Sequence, residues 1–555
     1  MSADKIGESV SIKSIFAEFP FAFSPAVFPD ILITGIAIDS RAVQPGHLFV
    51  AMKGGFADGH DFMPTAIERG AAAVVGERPM GDLPVPYIRV ENSRQAVAHL
   101  AAAFYGYPGR KLTIIGITGT DGKTTTCNLL YQILLAAGSK AGLISTVNAV
   151  IGDQVLDTGF HVTTPDAPDV QRYLAMMVDA GLTHVILETT SHGLAQFRVD
   201  ACEFDIGVVT NITHEHLDEH GSYENYRAAK ARLFQALAGT LPKPQGNPRL
   251  AVLNRDDISY EYLASIIQSV IRHPPSTIKQ VCYGLDVSAD IRAESVQHTP
   301  SGTHFIAVGK DFRVPVTSSL VGAFNVSNCL AALAAAVVGL GIGPETAACG
   351  IAALPGVPGR MERIDLGQPF TAVVDFAHTP NALRVAIQTA RQMLASPVPL
   401  FPIPSGRGKR VGGVGRRVIA IFGSAGLRDR EKRRMMAEVS AKMADLTILT
   451  AEDPRTESLE TILEEMAAGA KSRGGVEWRT FWRVPDRGEA IRFGVRMAQP
   501  GDIVMACGKG HEQSMCFGVT EYPWDDRIAM RAALAELLGL SGPAMPYLPT
   551  QDRTA

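Results

Sequence analysis

The stretch Gly119-Thr-Asp-Gly-Lys-Thr-Thr125 carries the residue types that hold a polyphosphate. Glycines leave a turn bare, so its backbone N–H groups can face phosphate oxygens. Lys123 adds a cation, and the Thr124 hydroxyl can reach a Mg2+ ion bound to the same phosphates. The strict P-loop spacing is missed by one residue, because a first glycine belongs at Ile117 and Gly116 comes one position early. Upstream, the run from Leu112 to Ile117 predicts a buried strand; downstream, the apolar spacing from Thr124 to Ala137 predicts a helix. Strand, glycine turn and helix N-terminus together predict a nucleoside triphosphate site.

Further polar clusters follow apolar strands. Thr163-Thr164-Pro165 precedes a predicted helix. Val185–Leu187 runs into Glu188-Thr-Thr-Ser191-His-Gly193, and Ile206–Ile212 runs into a turn holding His214, His216, Asp218 and His220. Ser222 is placed to cap the next helix, with Glu224 in its first turn and Lys230 two turns in. The histidines invite a zinc reading, which needs three or four nitrogen or sulfur ligands. Beside a Mg2+-triphosphate an oxygen-rich site fits better, and Glu188 at a strand end is its strongest single candidate.

Alternating strands and helices predict an α/β fold with a mostly parallel, doubly wound sheet, whose ligands gather at the carboxyl ends of strands. Three domains are expected. Residues 1–108 form a small α/β unit with strands Ile31–Ala37 and Leu48–Ala51, a helix Phe62–Gly70 and polar turns such as Asp39-Ser40-Arg41. Residues 109–355 carry the phosphate loop, and 356–555 form a further α/β domain after the Pro355–Gly359 linker. In that last domain the strands Val418–Phe422, Leu446–Thr450 and Ile503–Ala506 lead into Arg428, Glu452-Asp453-Pro454-Arg455 and Gly508 to Glu512. In a parallel sheet these ends converge, and two guanidiniums with a carboxylate suit a ligand bearing carboxylate and ammonium groups. A Gly/Arg/Lys-rich run between Ser405 and Arg417 reads as a solvated insertion.

Composition removes several function classes. The chain has 555 residues and a formal net charge of −4, without the basic balance that general nucleic-acid binding needs. Its seven cysteines are scattered and never paired as C-x-x-C, the pattern of a reducing compartment. No apolar run is long enough to span a bilayer, and no signal layout opens the sequence. A soluble, cytoplasmic monomer acting on small molecules is expected.

Taken together, these motifs resemble the Mur ligases of peptidoglycan synthesis over nearly the whole chain. Gly119, Thr120, Asp121, Gly122, Lys123, Thr124 and Thr125 match the family's ATP loop, with Asp121 where Asn is usual. Glu188-Thr-Thr-Ser-His-Gly-Leu194 with Gln196 and Arg198 matches its central motif. Thr210-Asn-Ile-Thr with His216-Leu-Asp, His220-Gly221 and Ala229-Lys230 matches the segment holding a carbamylated lysine. The resemblance implies three domains: a UDP-binding α/β domain, a central P-loop ATPase domain and a C-terminal Rossmann-like domain.

It also implies ATP and Mg2+, with Lys123 on the phosphates, Thr124, Glu188, His216 and Lys230 at the metal, and CO2 held as a carbamate on Lys230. Asn325, Arg360, Asp375 and His378 would serve ATP. Ser40, Thr163, Thr164, Ser191, Gln196 and Arg198 would hold a UDP-muramoyl-dipeptide, although Val162 stands where the family often has Asn. Arg428, Glu452, Asp453, Pro454, Arg455, Gly508 and Glu512 would hold the incoming amino acid.

The implied reaction adds the third amino acid of the peptide through an acyl phosphate. Diaminopimelate users read Asp-Asn-Pro-Arg where this chain reads Glu452-Asp453-Pro454-Arg455. The retained Arg455 favours diaminopimelate. Asp453 leaves lysine or ornithine open, since it could pair with a distal ammonium or hold Arg455 away. Alternatives are a related amide ligase of the folylpolyglutamate or cyanophycin synthetase type, and a binding subunit that has lost catalysis. Intact Lys123, Glu188, His216 and Lys230 oppose the last.

Overall fold

The computed structural model describes residues 9–25, 27–54, 57–156, 164–213, 220–271, 278–299, 302–395 and 416–550. His214, His216, Asp218, Thr163 and residues 405–415 of the basic run lie outside them. The chain divides into two compact units, 1–292 with 330–350, and 293–329 with 351–555. These contact units do not coincide with the three domains expected from the sequence, since residues 1–108 and 109–292 fall in one unit. Residues 293–329, which include the antiparallel pair Gly302–Val308 and Arg313–Ser318, belong with the second unit.

The first unit holds a five-stranded sheet, a separate two-stranded pair and most of a larger sheet. A five-stranded sheet runs Phe23–Ser24, Tyr87–Val90, Ala73–Gly76, His47–Val50, Gly35–Ala37, parallel except for its first strand. The single strand expected over Ile31–Ala37 is split at Thr34. Leu32–Ile33 pairs antiparallel with Val10–Ser11, whereas Gly35–Ala37 pairs with His47–Phe49.

In the larger sheet, Ala141–Ile144, His184–Glu188, Thr113–Thr118, Ile206–Val209, Leu250–Asn254 and Lys279–Gly284 lie side by side and parallel. Thr113–Thr118 is wholly buried, as its unbroken apolar and β-branched run predicts. After it the chain fills the Ala141–Ile144 side first and then crosses to Ile206–Val209. The ends of three adjacent strands thus open beside one loop, the place where doubly wound sheets bind ligands. Gly116, one position early for a phosphate loop, has a packing role instead. A Cβ there would press within 2.8 Å of Phe204 and Leu233 side chains.

The second unit is built on a six-stranded sheet ordered Glu362–Ile364, Thr371–Asp375, Ile503–Cys507, Val418–Phe422, Leu446–Leu449, Phe481–Arg483. All but the first strand run parallel. Helices cover both faces over two apolar clusters, one around Val373, Phe422 and Met436, the other around Phe370, Ile448 and Trp524. All seven cysteines are free. Among the described residues no helix is long and apolar enough to cross a membrane.

Candidate active site

In the first unit, Gly119 and Gly122 take φ of +152° and +84°, conformations that L side chains rarely adopt, and the helix Lys123–Ala136 starts directly after them. The loop is held from behind. Asp121 N–H donates to Asn211 Oδ1 at 2.9 Å, Asn211 Nδ2 donates back to Asp121 O at 3.0 Å, and Thr210 Oγ1 donates to the same carbonyl at 2.6 Å. A Cβ on Gly119 would fall inside the Thr210 hydroxyl. Lys123 Nζ curls over the loop, donating to Gly119 O at 3.1 Å and Thr120 O at 2.7 Å.

Glu188 is buried at the end of its strand, register-paired with Ile117 of the loop strand. Its carboxylate accepts from Thr124 Oγ1 at 3.0 Å, from Thr146 N–H at 3.0 Å and from Thr146 Oγ1 at 2.9 Å. A hydroxyl and a carboxylate at the helix start form an all-oxygen donor set, which suits a hard cation such as Mg2+.

Lys230 lies two turns into the helix Tyr223–Gly239, whose N-cap Ser222 accepts from Asn225 N–H as its sequence predicts. It is 2 % exposed, unlike an ordinary helical surface lysine. Its Nζ donates to Gly119 O at 2.7 Å and sits 4.5 Å from the Tyr226 ring centre. Tyr226 in turn shares a 2.9 Å hydrogen bond with Thr120 Oγ1. Lys123, Thr124, Glu188 and Lys230 therefore gather around one loop.

Beside Glu188, Thr164 Oγ1 donates to Glu188 O at 3.2 Å, and Gly193 lies so close to Thr164 that a Cβ would clash. Arg198 donates from Nη1 to Thr164 O at 2.8 Å and bonds Gln196 Oε1. Thr164, Gln196 and Arg198 thus form one polar edge next to the buried Ser191. The His192 and His220 rings stand 5.1 Å apart. In the five-stranded sheet's loops, Ser40 is buried in a short 3-10 turn that Asp39 caps through Arg41 N–H at 2.9 Å.

In the second unit, Asn325 donates to Val321 O at 2.8 Å and accepts from Asn328. Arg360 lies 4.4 Å over the Phe376 ring, with His378 packed on the same ring. Asp375 holds the backbone N–H groups of Met361 and Ala377 at 2.7 and 2.8 Å. The three strand ends predicted to converge do so. Glu452 sits between Gly423 and Gly508; a Cβ at Gly508 would meet its carboxylate, and one at Gly423 would meet Glu452 and the Thr450 carbonyl.

Burial first, and then the Asp453 charge, push the Glu452 carboxyl up to about 7 against the pull of Lys432, Arg487 and Lys509. Its Oε2 is buried and finds no hydrogen-bond partner among the described residues. Within the unit Asp453 bonds Lys509 instead of Arg455. Its carboxylate takes two 3.0 Å bonds from Lys509 Nζ and one of 2.9 Å from Cys516 N–H. Glu512 pairs with the same Lys509 at 2.5 Å. Arg455, with φ +53°, is pinned by its backbone to Cys516 O and Gly518 N–H. Its buried Nε finds no hydrogen-bond partner among the described residues. Pro454 is buried, and Arg428 lies exposed just ahead of the helix Arg430–Met443.

Sequence reasoning missed Thr146 and Lys509 as partners of site residues. Thr146 carries a faint signal, a hydroxyl pair just past the apolar strand Ala141–Ile144. Lys509 gives none beyond its place among glycines.

Comparison with known proteins supplies the family. Residues 32–105 match the Mur ligase family catalytic domain, 117–336 the Mur ligase middle domain and 407–510 the Mur ligase glutamate ligase domain. A UDP-N-acetylmuramyl-tripeptide synthetase of Roseiflexus sp. is 44 % identical over 522 residues, covering 93 % of this chain and 97 % of its own. This chain belongs to the Mur ligase family. A UDP-N-acetylmuramoyl-L-alanyl-D-glutamate–2,6-diaminopimelate ligase of Geobacillus thermodenitrificans is 40 % identical over 92 % of this chain and 96 % of its own. A solved structure of a ligase of that same description, 30 % identical, superposes with a TM-score of 0.64, covering 96 % of this Mur ligase and all of the other chain. A folylpolyglutamate synthase of Mycobacterium tuberculosis, at 14 % identity and a TM-score of 0.57 over 81 % of this chain and 96 % of its own, shares the fold.

Proposed function

We propose that this Mur ligase joins 2,6-diaminopimelate, as the third amino acid, to UDP-N-acetylmuramoyl-L-alanyl-D-glutamate, with ATP converted to ADP and phosphate. The gathering of Lys123, Thr124, Glu188 and Lys230 around one glycine loop carries this reading. A carboxylate resists attack by an amine, so the γ-phosphoryl group first moves from ATP to a carboxylate oxygen and ADP leaves. The amine then adds to the acyl carbon, loses its proton, and the tetrahedral species expels phosphate as the amide forms.

For such a reaction the protein positions groups and offsets charge. Lys123 and the loop N–H groups hold the phosphates; Thr124 and Glu188 would hold Mg2+, which neutralises charge on the transferring phosphoryl group when bound. Thr146 fixes the Glu188 carboxylate in one orientation. A CO2 adduct on Lys230 would turn a buried cation beside the loop into an anion with two oxygens, and His216 belongs to the same reading. Thr163, Thr164, Ser191, Gln196 and Arg198 are assigned to the muramoyl-dipeptide, Ser40 to its uridine nucleotide. Asn325, Arg360, Asp375 and His378 are assigned to ATP.

For the amino acid, the retention of Arg455 favours a distal carboxylate over a distal ammonium, and Asp453 is held by Lys509, a cation it shares with Glu512. Phosphate release tests the whole reading. It should require ATP, UDP-muramoyl-dipeptide and diaminopimelate together; release with folate or peptide acceptors instead would reverse it.

A further inference from the structure

Arg487 is the first residue of the helix Arg487–Met497, the end where a helix dipole disfavours a cation, and it is completely buried. Its partner is Asp526, equally buried in the first turn of the helix Asp526–Leu538, where an anion is favoured. Arg487 Nε donates to Asp526 Oδ1 at 2.7 Å and Nη2 to Oδ2 at 2.6 Å. Trp524 Nε1 bonds the same carboxylate at 2.9 Å. A buried pair of this quality adds little net stability compared with apolar packing, so its value is to be sought in what else it holds.

The guanidinium directs two further donors to backbone carbonyls. Nη1 donates to Ala451 O at 3.1 Å and Nη2 to Cys507 O at 2.8 Å. Ala451 immediately precedes Glu452-Asp453-Pro454-Arg455, and Cys507 immediately precedes Gly508 to Glu512. The two strands involved, Leu446–Leu449 and Ile503–Cys507, are not neighbours; Val418–Phe422 lies between them. One planar fork therefore ties together, across an intervening strand, the bases of both loops assigned to the amino acid.

We infer that Arg487 is a positioning residue for recognition of the third amino acid. It touches no substrate and acts by fixing the separation of the Arg455 loop and the Gly508 loop. The inference rests on the assignment of those loops to the amino acid. A lysine in its place could satisfy Asp526, but a single ammonium lacks the fork geometry to span both carbonyls as well.

Steady-state kinetics of the full chain test this with Arg487→Lys. The KM for diaminopimelate should rise roughly ten- to hundredfold, the scale expected when binding groups are misplaced by about 1 Å, with KM for ATP and for UDP-muramoyl-dipeptide unchanged. The double variant Arg487→Met with Asp526→Leu strands no buried charge and should give the same selective rise, with a thermal melt confirming its fold. An unchanged diaminopimelate KM in a folded variant, or a parallel rise of all three KM values, would overturn the inference. Arg455→Lys, measured alongside, separates the two layers. If it alone raises the diaminopimelate KM, the loop assignment stands and the role of Arg487 falls; if neither substitution does, both fall.

Discussion

Glu452→Gln is a perturbation whose sign and size follow from the burial of one carboxyl. Between Gly423 and Gly508 the folded protein holds Glu452 at about 7, against an ordinary value of 4.5. Across the window from about 4.5 to 7 the folded state binds a proton that the unfolded state has lost, so stability falls as pH rises through it. Stability is full below 4.5, and the loss is complete above 7. At about 1.4 kcal/mol per pH unit the interval corresponds to about 3 kcal/mol. Glutamine keeps the shape and cannot ionise, so it escapes this loss.

All three tryptophans, Trp478, Trp482 and Trp524, lie in the unit that holds Glu452, and their fluorescence reports the unfolding of that unit. Urea titrations should give nearly equal midpoints for wild type and Glu452→Gln below pH 5. At pH 8 the variant should be the more stable, by about 3 kcal/mol. A variant no more stable than wild type at pH 8, or an advantage independent of pH, would refute the burial argument.

Three further outcomes are expected at the phosphate loop. Gly119→Ala forces a side chain into Thr210 at a φ of +152° and should remove ATP-dependent turnover, while calorimetric binding of UDP-muramoyl-dipeptide persists; normal ATP kinetics would contradict the loop geometry. Thr146→Ala deletes the hydroxyl bond to Glu188 and should lower kcat roughly tenfold or more, the scale of one hydrogen bond to a charged group, with a raised Mg2+ requirement in a metal titration. Lys230→Ala should abolish turnover, with partial rescue by a short carboxylic acid added to the assay; undiminished activity would end the carbamate reading.

Much of this site is legible in the residues because glycines, β-branched runs and capping serines act locally. The loop strand, its helix and the convergence of three strand ends in the second unit all follow from such patterns. What the sequence hides is long-range. Gly116 looked like a displaced loop glycine until Phe204 and Leu233 were found packed against it. Lys230 looks like any helical lysine, since its burial depends on where Gly119 arrives, 111 positions away in the chain. The charge on Asp453 was open because its partner, Lys509, is 56 residues distant. The grouping of residues 293–329 with the second unit likewise comes from contacts between distant segments.

The identity of the added amino acid is tested most directly by competition. Purified protein is given ATP, Mg2+ and UDP-N-acetylmuramoyl-L-alanyl-D-glutamate with equal concentrations of diaminopimelate, lysine and ornithine, and the nucleotide product is weighed by mass spectrometry. With Arg455 retained and Asp453 held by Lys509, the diaminopimelate adduct should dominate by roughly ten- to hundredfold, the worth of one charge-assisted Arg–carboxylate contact. A product carrying mainly lysine or ornithine, or no amino-acid adduct at all, would contradict it.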